Sequence, residues 1–277
     1  MDIQWPLVLF AVLNGAGGWL IAFTAVNEFT GKSKSDKVRF IALVIGIVLV
    51  VVAGICSAFH LTHPDRIMGA LSHPTSGIFT EALLTGLLAL AAIIYVVLTK
   101  RDASASAIKG LAAVSGVLGV ILPFATGMSY MMAARPTWDT IAFPLACLAT
   151  TAISGAAIYL LLQAMYESDN KDAIEFSGKM CVVTGAAAVV FAVLYVAVSG
   201  TMAGSGAILF WLGTVIVGGV LPAVCGALVK KGNSVAALAG AAVAGSLIGS
   251  LAFRCFMWIV GTGILDLIGN GNWFGSI

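Results

Sequence analysis

Charge is what this chain most lacks. Lys, Arg, Asp and Glu together make up 9% of its 277 residues, against about 25% in an average soluble domain. So few charges cannot cover a water-facing surface, and lipid is expected to be most of the solvent. The small net charge of +2 forms no basic face for nucleic acid. Histidine is nearly absent as well. His60, His63 and His73 all fall within AFHLTHPDRIMGALSHP, and the rest of the chain has none. Membrane cytochromes of the b type hold each haem between two histidines, usually on different helices. Only His60 falls at the end of an apolar run, which argues against such a haem. The three histidines are numerous enough for a metal site, but His63 and His73 each precede proline, whose preceding residue is extended or turned. They read as loop residues. The five cysteines (Cys56, Cys147, Cys181, Cys225, Cys255) stand singly in apolar runs with no CxxC pair, as small buried hydrophobes do. This argues against disulfides, zinc and cysteine-held iron–sulfur clusters. No GxGxxG turn and no phosphate-loop lysine is present.

What is abundant is apolar length. Hydrophobic residues make up 60% of the chain, and its mean hydropathy is +1.07. A bilayer-spanning helix needs roughly 20 mostly apolar residues. Eight such runs are present, at about 6–28, 39–60, 78–99, 107–131, 139–165, 178–200, 206–229 and 235–259. The connectors are short and polar: TGKSKSDK, KRDASAS, AARPTWD, YESDNKDAIEFSGK and KKGNS. The expected fold class is an all-α integral membrane protein, one polytopic domain over 1–277 with eight transmembrane helices, arranged as two four-helix bundles. The first apolar run has no basic region before it and is too long for a signal-peptide core, so it reads as a retained span.

Lysine and arginine favour the cytoplasmic side of a membrane. Lys32, Lys34, Lys37, Arg39, Lys100, Arg101, Lys109, Lys171, Lys179, Lys230 and Lys231 flank the odd-numbered connectors. The even connectors hold only Arg66 and Arg135, and Arg254 lies inside the eighth run. Both termini and the histidine segment are therefore expected on the extracytoplasmic side. The 32 glycines suit close helix packing in lipid.

Ionisable groups at membrane depth are costly and are candidates for function. His60 ends the second run, Glu81 lies about one turn inside the third, and Arg254 sits in the eighth; Asn14 is a polar group in the first. Asp65 and Arg66 lie between His60 and Glu81, and Tyr130 and Arg135 follow the fourth run. Each also has a structural reading: His60 as a cap, Glu81 paired with Arg66, Arg254 bonded to a carbonyl or to Glu81. Tyr130, Trp138 and Trp273 suit the aromatic belt of a membrane interface. Two proton acceptors near the outer surface, with a cation between them, suit a small redox molecule that releases protons outward.

The segment FHLTHPDRIMGAL, followed by GIFTEALLTG around Glu81, resembles the HLxxPxRxxxAL…E segment of DmsC-type membrane anchors of dimethyl sulfoxide reductases. WPLVLFAVLNGAGGW and MSYMMAARPTWDTIAFPL extend the likeness through roughly the first 165 residues. The resemblance implies a quinol-oxidising anchor without haem or iron–sulfur cluster of its own. It would bind menaquinol near the outer face of the inner membrane. It would hold a four-cluster iron–sulfur subunit there and, through it, a molybdopterin catalytic subunit, in anaerobic respiration. The family's important histidine falls on His60, its acidic residue on Glu81 and its basic loop position on Arg66. Tyr130, Arg135 and Arg254 are further candidate quinol-binding residues. The sequence departs from the pattern at His63, where a small residue is usual, and in the glycine-rich LIGNGNWFGSI. Two other readings stay open: a multi-span transporter of a small solute, and a polysulfide-reductase-type quinone-reactive anchor. No internal repeat favours the transporter, and the polar residues gather at one face rather than at mid-membrane.

Overall fold

The computed structural model describes residues 3–59, 73, 75–201, 204, 206–231 and 234–261. Among them regular structure is entirely helical, and eight helices are long and apolar enough to cross a membrane. They are α1 (Trp5–Thr30), α2 (Asp36–Ala58), α3 (Gly77–Lys100), α4 (Ala105–Met128), α5 (Ala142–Tyr166), α6 (Lys171–Ser199), α7 (Leu209–Leu228) and α8 (Val235–Val260). At about 1.5 Å rise per residue, a helix of α1's length spans roughly 39 Å, enough for a bilayer core.

Local chemistry sets the ends. α1 carries Pro6 in its first turn, where a missing N–H costs nothing. It closes at Gly31, which adopts φ 61° and donates its N–H to the Asn27 carbonyl. Ser35, Ser76 and Ser104 cap α2, α3 and α4 by accepting from the N–H groups of Val38, Phe79 and Ala107. Asn170 does the same for α6 through Ala173. Each cap contributes about 1 kcal/mol. The Asn170 cap starts α6 at Lys171, seven residues before the strongly apolar stretch begins near 178. That polar first part is held by Glu175, which pairs with Lys179 at 3.0 Å and with Lys230 of the α7–α8 connector at 3.2 Å. At the other boundaries, α2 ends at Ala58 and α4 at Met128, so Tyr130 lies beyond the helix.

Helices α1 and α5 are central: 78% of the spanning window is buried in each, against 22% in α3. α1 packs on α2, α4, α5 and α8, and α5 packs on α4, α6 and α8 as well. In lipid no hydrophobic force drives helices together, so the backbones must approach closely. At the α1–α4 crossing a Cβ on Gly119 would stand 2.2 Å from the Gly18 carbonyl oxygen. Only glycine fits there.

Successive helices run up and down, which gathers the helix ends at two poles. At the lysine-rich pole, Glu28 of α1 accepts from Tyr95 of α3 at 2.7 Å and pairs with Arg39 of α2 at 3.0 Å. Glu167, capping α5, accepts from the Ser33 hydroxyl and from the Lys34 N–H at 2.7 Å. Asn170 donates to the Lys32 carbonyl at 2.9 Å. The 31–35 turn is thereby fastened to the end of α5.

α7 holds a feature that its sequence does not announce. Its first part, Leu209–Val220, is π-helix, and α-geometry begins only at Leu221, next to Pro222. π-turns are usually single bulges. Here the Leu221 N–H reaches five residues back to Ile216, and the backbone crosses α8 at Gly218 and Gly249.

Candidate functional site

The opposite pole is built around the segment between α4 and α5. Trp138 donates its indole N–H to the Met257 carbonyl near the end of α8 at 2.9 Å. Arg135 donates to the Gly261 carbonyl at 2.7 Å and lies 4.9 Å over the Trp138 ring. These contacts clamp residues 135–138 onto the C-terminal end of α8. Trp138 is 2% exposed; it is a core residue rather than a member of an interfacial belt. Tyr130 meets Trp138, Phe143 and Trp258 edge-on, with ring centroids 5.8, 6.3 and 6.1 Å away. Edge-to-face contacts of this kind add about 0.5–1.5 kcal/mol each beyond burial.

Beside this aromatic cluster sit the ionisable groups. Arg254 of α8 is 1% exposed. Its Nη1 reaches the Met257 sulfur at 3.8 Å, and the Cys147 thiol of α5 is a further side-chain partner of the guanidinium. Its Nε and Nη2 have no hydrogen-bond partner among the described residues. Glu81 of α3, partly buried, lies within electrostatic reach of Arg254. Its Oε1 accepts a hydrogen bond of 2.5 Å from the Ser129 hydroxyl. The Tyr130 phenol feels both charges. Burial and the Glu81 carboxylate hold its ionisation far above the ordinary range, Arg254 opposing them, so it stays a neutral hydroxyl.

A buried guanidinium with unsatisfied donors is expensive, several kcal/mol for the ion and about 1–3 kcal/mol for each unpaired donor. Such a group needs an acceptor. Glu81 supplies opposite charge at a distance, and no described residue accepts from Nε or Nη2. An oxygen carrying partial or full negative charge satisfies Nε and Nη2 together, as guanidinium forks do. Nearby, the carboxylate of Glu81 accepts protons. The arrangement therefore suits a weakly acidic hydroxyl that loses its proton to one side and has its oxygen stabilised from the other.

Of the residues singled out in the sequence, Glu81, Tyr130 and Arg254 come together at this pole. Arg135 lies at the same pole, its Nη1 bonded to the end of α8. His60, His63, Arg66 and Trp273 fall outside the described residues. The His73 carbonyl accepts from the Ser76 N–H at 3.0 Å, placing it in the turn before α3. Asn14 is fully buried, donates weakly to Thr126 at 3.5 Å and has no partner for its Oδ1 among the described residues. Two neighbours escaped sequence reasoning, Ser129 and Cys147. Ser129 lies in the continuous apolar run 107–131, where it resembles a packing serine. Among the described residues no three His, Cys, Asp or Glu side chains gather as a metal site.

Eight membrane-length helices and a buried ionisable cluster at one pole define a multi-pass membrane protein with a polar site near a helix-bundle end. A family model for the DMSO reductase anchor subunit (DmsC) matches residues 1–223. The chain belongs to that family, whose members anchor the iron–sulfur and catalytic subunits of dimethyl sulfoxide reductase in the membrane. Glu81 and Tyr130 lie inside the matched stretch, whereas Arg254 lies beyond it. Comparison with curated proteins gives no match.

Proposed function

We propose that this chain binds and oxidises a quinol, menaquinol in the family's setting, at the Glu81 pole. Electrons then pass to an iron–sulfur subunit docked there, which carries four clusters and serves a molybdopterin subunit. The observation that supports this most directly is Arg254, fully buried near the Glu81 carboxylate with two donors that no described residue accepts from. A quinol supplies two electrons and two protons as it becomes a quinone. Glu81 is the proton acceptor for a quinol hydroxyl and hands the proton outward. Arg254 binds the oxygen from which that proton leaves, a fixed donor set acting where negative charge develops. Tyr130, un-ionised and held by three aromatic neighbours, offers a further hydrogen bond. His60 and Arg66 lie between α2 and α3, and so reach the same pole in sequence; His60 is the second proton acceptor and Arg66 steadies the same oxygen. The positive-inside distribution favours this pole, with both termini, on the extracytoplasmic side of the inner membrane, where proton release needs no charge to cross the bilayer.

Replacing Glu81 with glutamine in the intact complex tests the reading. Quinol-driven reduction of the terminal acceptor is expected to fall at least about a hundredfold, the range of a lost general base. Reduction driven by a soluble artificial donor, which enters at the partner subunits, is expected to stay unchanged. Full quinol turnover in that variant overturns the assignment.

A further inference from the structure

We infer that Ser129, held against α3 by the glycine at position 77, is a positioning residue that keeps Glu81 in place in both of its protonation states. The inference rests on Glu81 being the proton acceptor, and it adds how the carboxyl group stays aligned while its charge changes.

Gly77 and Glu81 are four residues apart and share a face of α3. Ser129 caps α4 and packs on that face. A Cβ on Gly77 would fall 2.6 Å from the Ser129 Cβ and 3.3 Å from its Cα, well inside any real contact. Gly77 thus lets the end of α4 come within backbone distance of the start of α3. That closeness is what brings the short Ser129 side chain within 2.5 Å of Glu81 Oε1.

The serine hydroxyl has two acceptors within reach, because the Thr126 carbonyl lies 2.9 Å from the same oxygen. One hydroxyl has a single proton and two lone pairs. While Glu81 is ionised, Ser129 donates to Oε1. When a substrate proton arrives on Oε2, Oε1 becomes the carbonyl oxygen of the acid and still accepts from Ser129, whose oxygen the Thr126 carbonyl keeps in line. The bond is kept in both states with no heavy atom moved. Oε2 bonds no other described residue, and in this reading it is the oxygen that takes the proton. Thr126 is itself fixed, its hydroxyl donating to the Leu122 carbonyl at 3.0 Å. A carboxyl group with no donor beside it would be free to swing at each proton transfer. Misplacement of a reacting group by about 1 Å can cost up to a hundredfold in rate.

The test is a double-mutant cycle in the assembled complex, read as quinol-driven and artificial-donor-driven turnover. Ser129→Ala is expected to lower the quinol kcat roughly tenfold with KM nearly unchanged and artificial-donor turnover intact. Gly77→Ala, which pushes Ser129 away, is expected to match it. In a Glu81→Gln background Ser129→Ala is expected to cost nothing more. Ser129 would lose this role if its alanine variant kept wild-type quinol turnover, lowered both turnovers alike, or added its full loss to that of Glu81→Gln. Full quinol turnover in Glu81→Gln alone overturns instead the proton-acceptor role on which the inference rests.

Discussion

Replacing Arg254 with methionine separates a structural role from a functional one. The guanidinium is 1% exposed, and its Nε and Nη2 are unpartnered among the described residues. Nη1 contacts the Met257 sulfur at 3.8 Å, and the Cys147 thiol is its other weak partner. If packing were its purpose, it would be a poor choice. Exchanging a buried ionic group for apolar side chains of similar volume is commonly neutral or stabilising by about 1–4 kcal/mol. Methionine follows the path of the arginine stem and packs among Phe253, Phe256 and Met257, all buried. The Glu81 charge is not stranded, because Ser129 still bonds it. The expected result is a complex whose unfolding midpoint in detergent is equal to or above that of the parent. Quinol-driven turnover should fall about 10²–10³-fold, as for loss of one preorganised donor to a developing oxyanion. Artificial-donor turnover should be unchanged. The reasoning is refuted if the variant is destabilised by several kcal/mol while quinol turnover per assembled complex survives, for then Arg254 holds the fold and does not touch substrate.

Three further outcomes follow from other parts of the molecule. His60→Ala is expected to abolish quinol-driven reduction and spare artificial-donor reduction in the same complex; unchanged quinol turnover removes His60 from the site. Tyr95→Phe deletes the 2.7 Å bond to Glu28 at the far pole. It should cost about 1.5–3 kcal/mol of stability, the range for a bond to a charged group, measured by thermal unfolding, with quinol KM and kcat unaltered. Gly119→Val forces a side chain into a gap where even a Cβ would lie 2.2 Å from the Gly18 carbonyl oxygen. A loss of at least about 1–3 kcal/mol from overpacking, seen as a lower unfolding midpoint, is expected, and a neutral result would mean that α1 and α4 do not cross there.

The helices were legible because their signal is redundant. Runs of 20 or more apolar residues are long enough for lipid whatever their exact ends, and serines at 35, 76 and 104 and Asn170 stand where caps are needed. Glu81 and Arg254 stood out for a related reason: charge at membrane depth is conspicuous. The environment of each was hidden. Trp138 reads as an interfacial aromatic because it lies in a short polar connector. Only the fold reveals that α8 ends beside it and supplies the Met257 carbonyl for its N–H. Ser129 gains its meaning from Gly77, some 50 residues earlier in the chain and adjacent in space. The π-helix of Leu209–Val220 left no trace, since a run apolar on every side shows no periodicity from which a wider turn could be read. Its buried Thr214 hydroxyl also lacks a partner among the described residues, a cost that composition cannot display.

An anchor that merely tethered two partner subunits would need apolar helices and a matching surface at one pole. It would not need, near a carboxylate, a desolvated cation whose Nε and Nη2 donors no described residue satisfies, which lowers stability without helping the tether. The expense itself points to chemistry at this pole. Arg254 lies beyond the 1–223 stretch matched by the family model, so its part in the site rests on its depth and place in this fold and not on the family match. The elements that meet there are far apart in the chain: the start of α3, the end of α4, Cys147 of α5 and the last turns of α8. The clamp of Arg135 and Trp138 on the end of α8 is what holds the last of these against the first. Loosening that clamp should therefore separate Arg254 from Glu81 before it unfolds either half of the molecule, and quinol turnover should fail before the complex does.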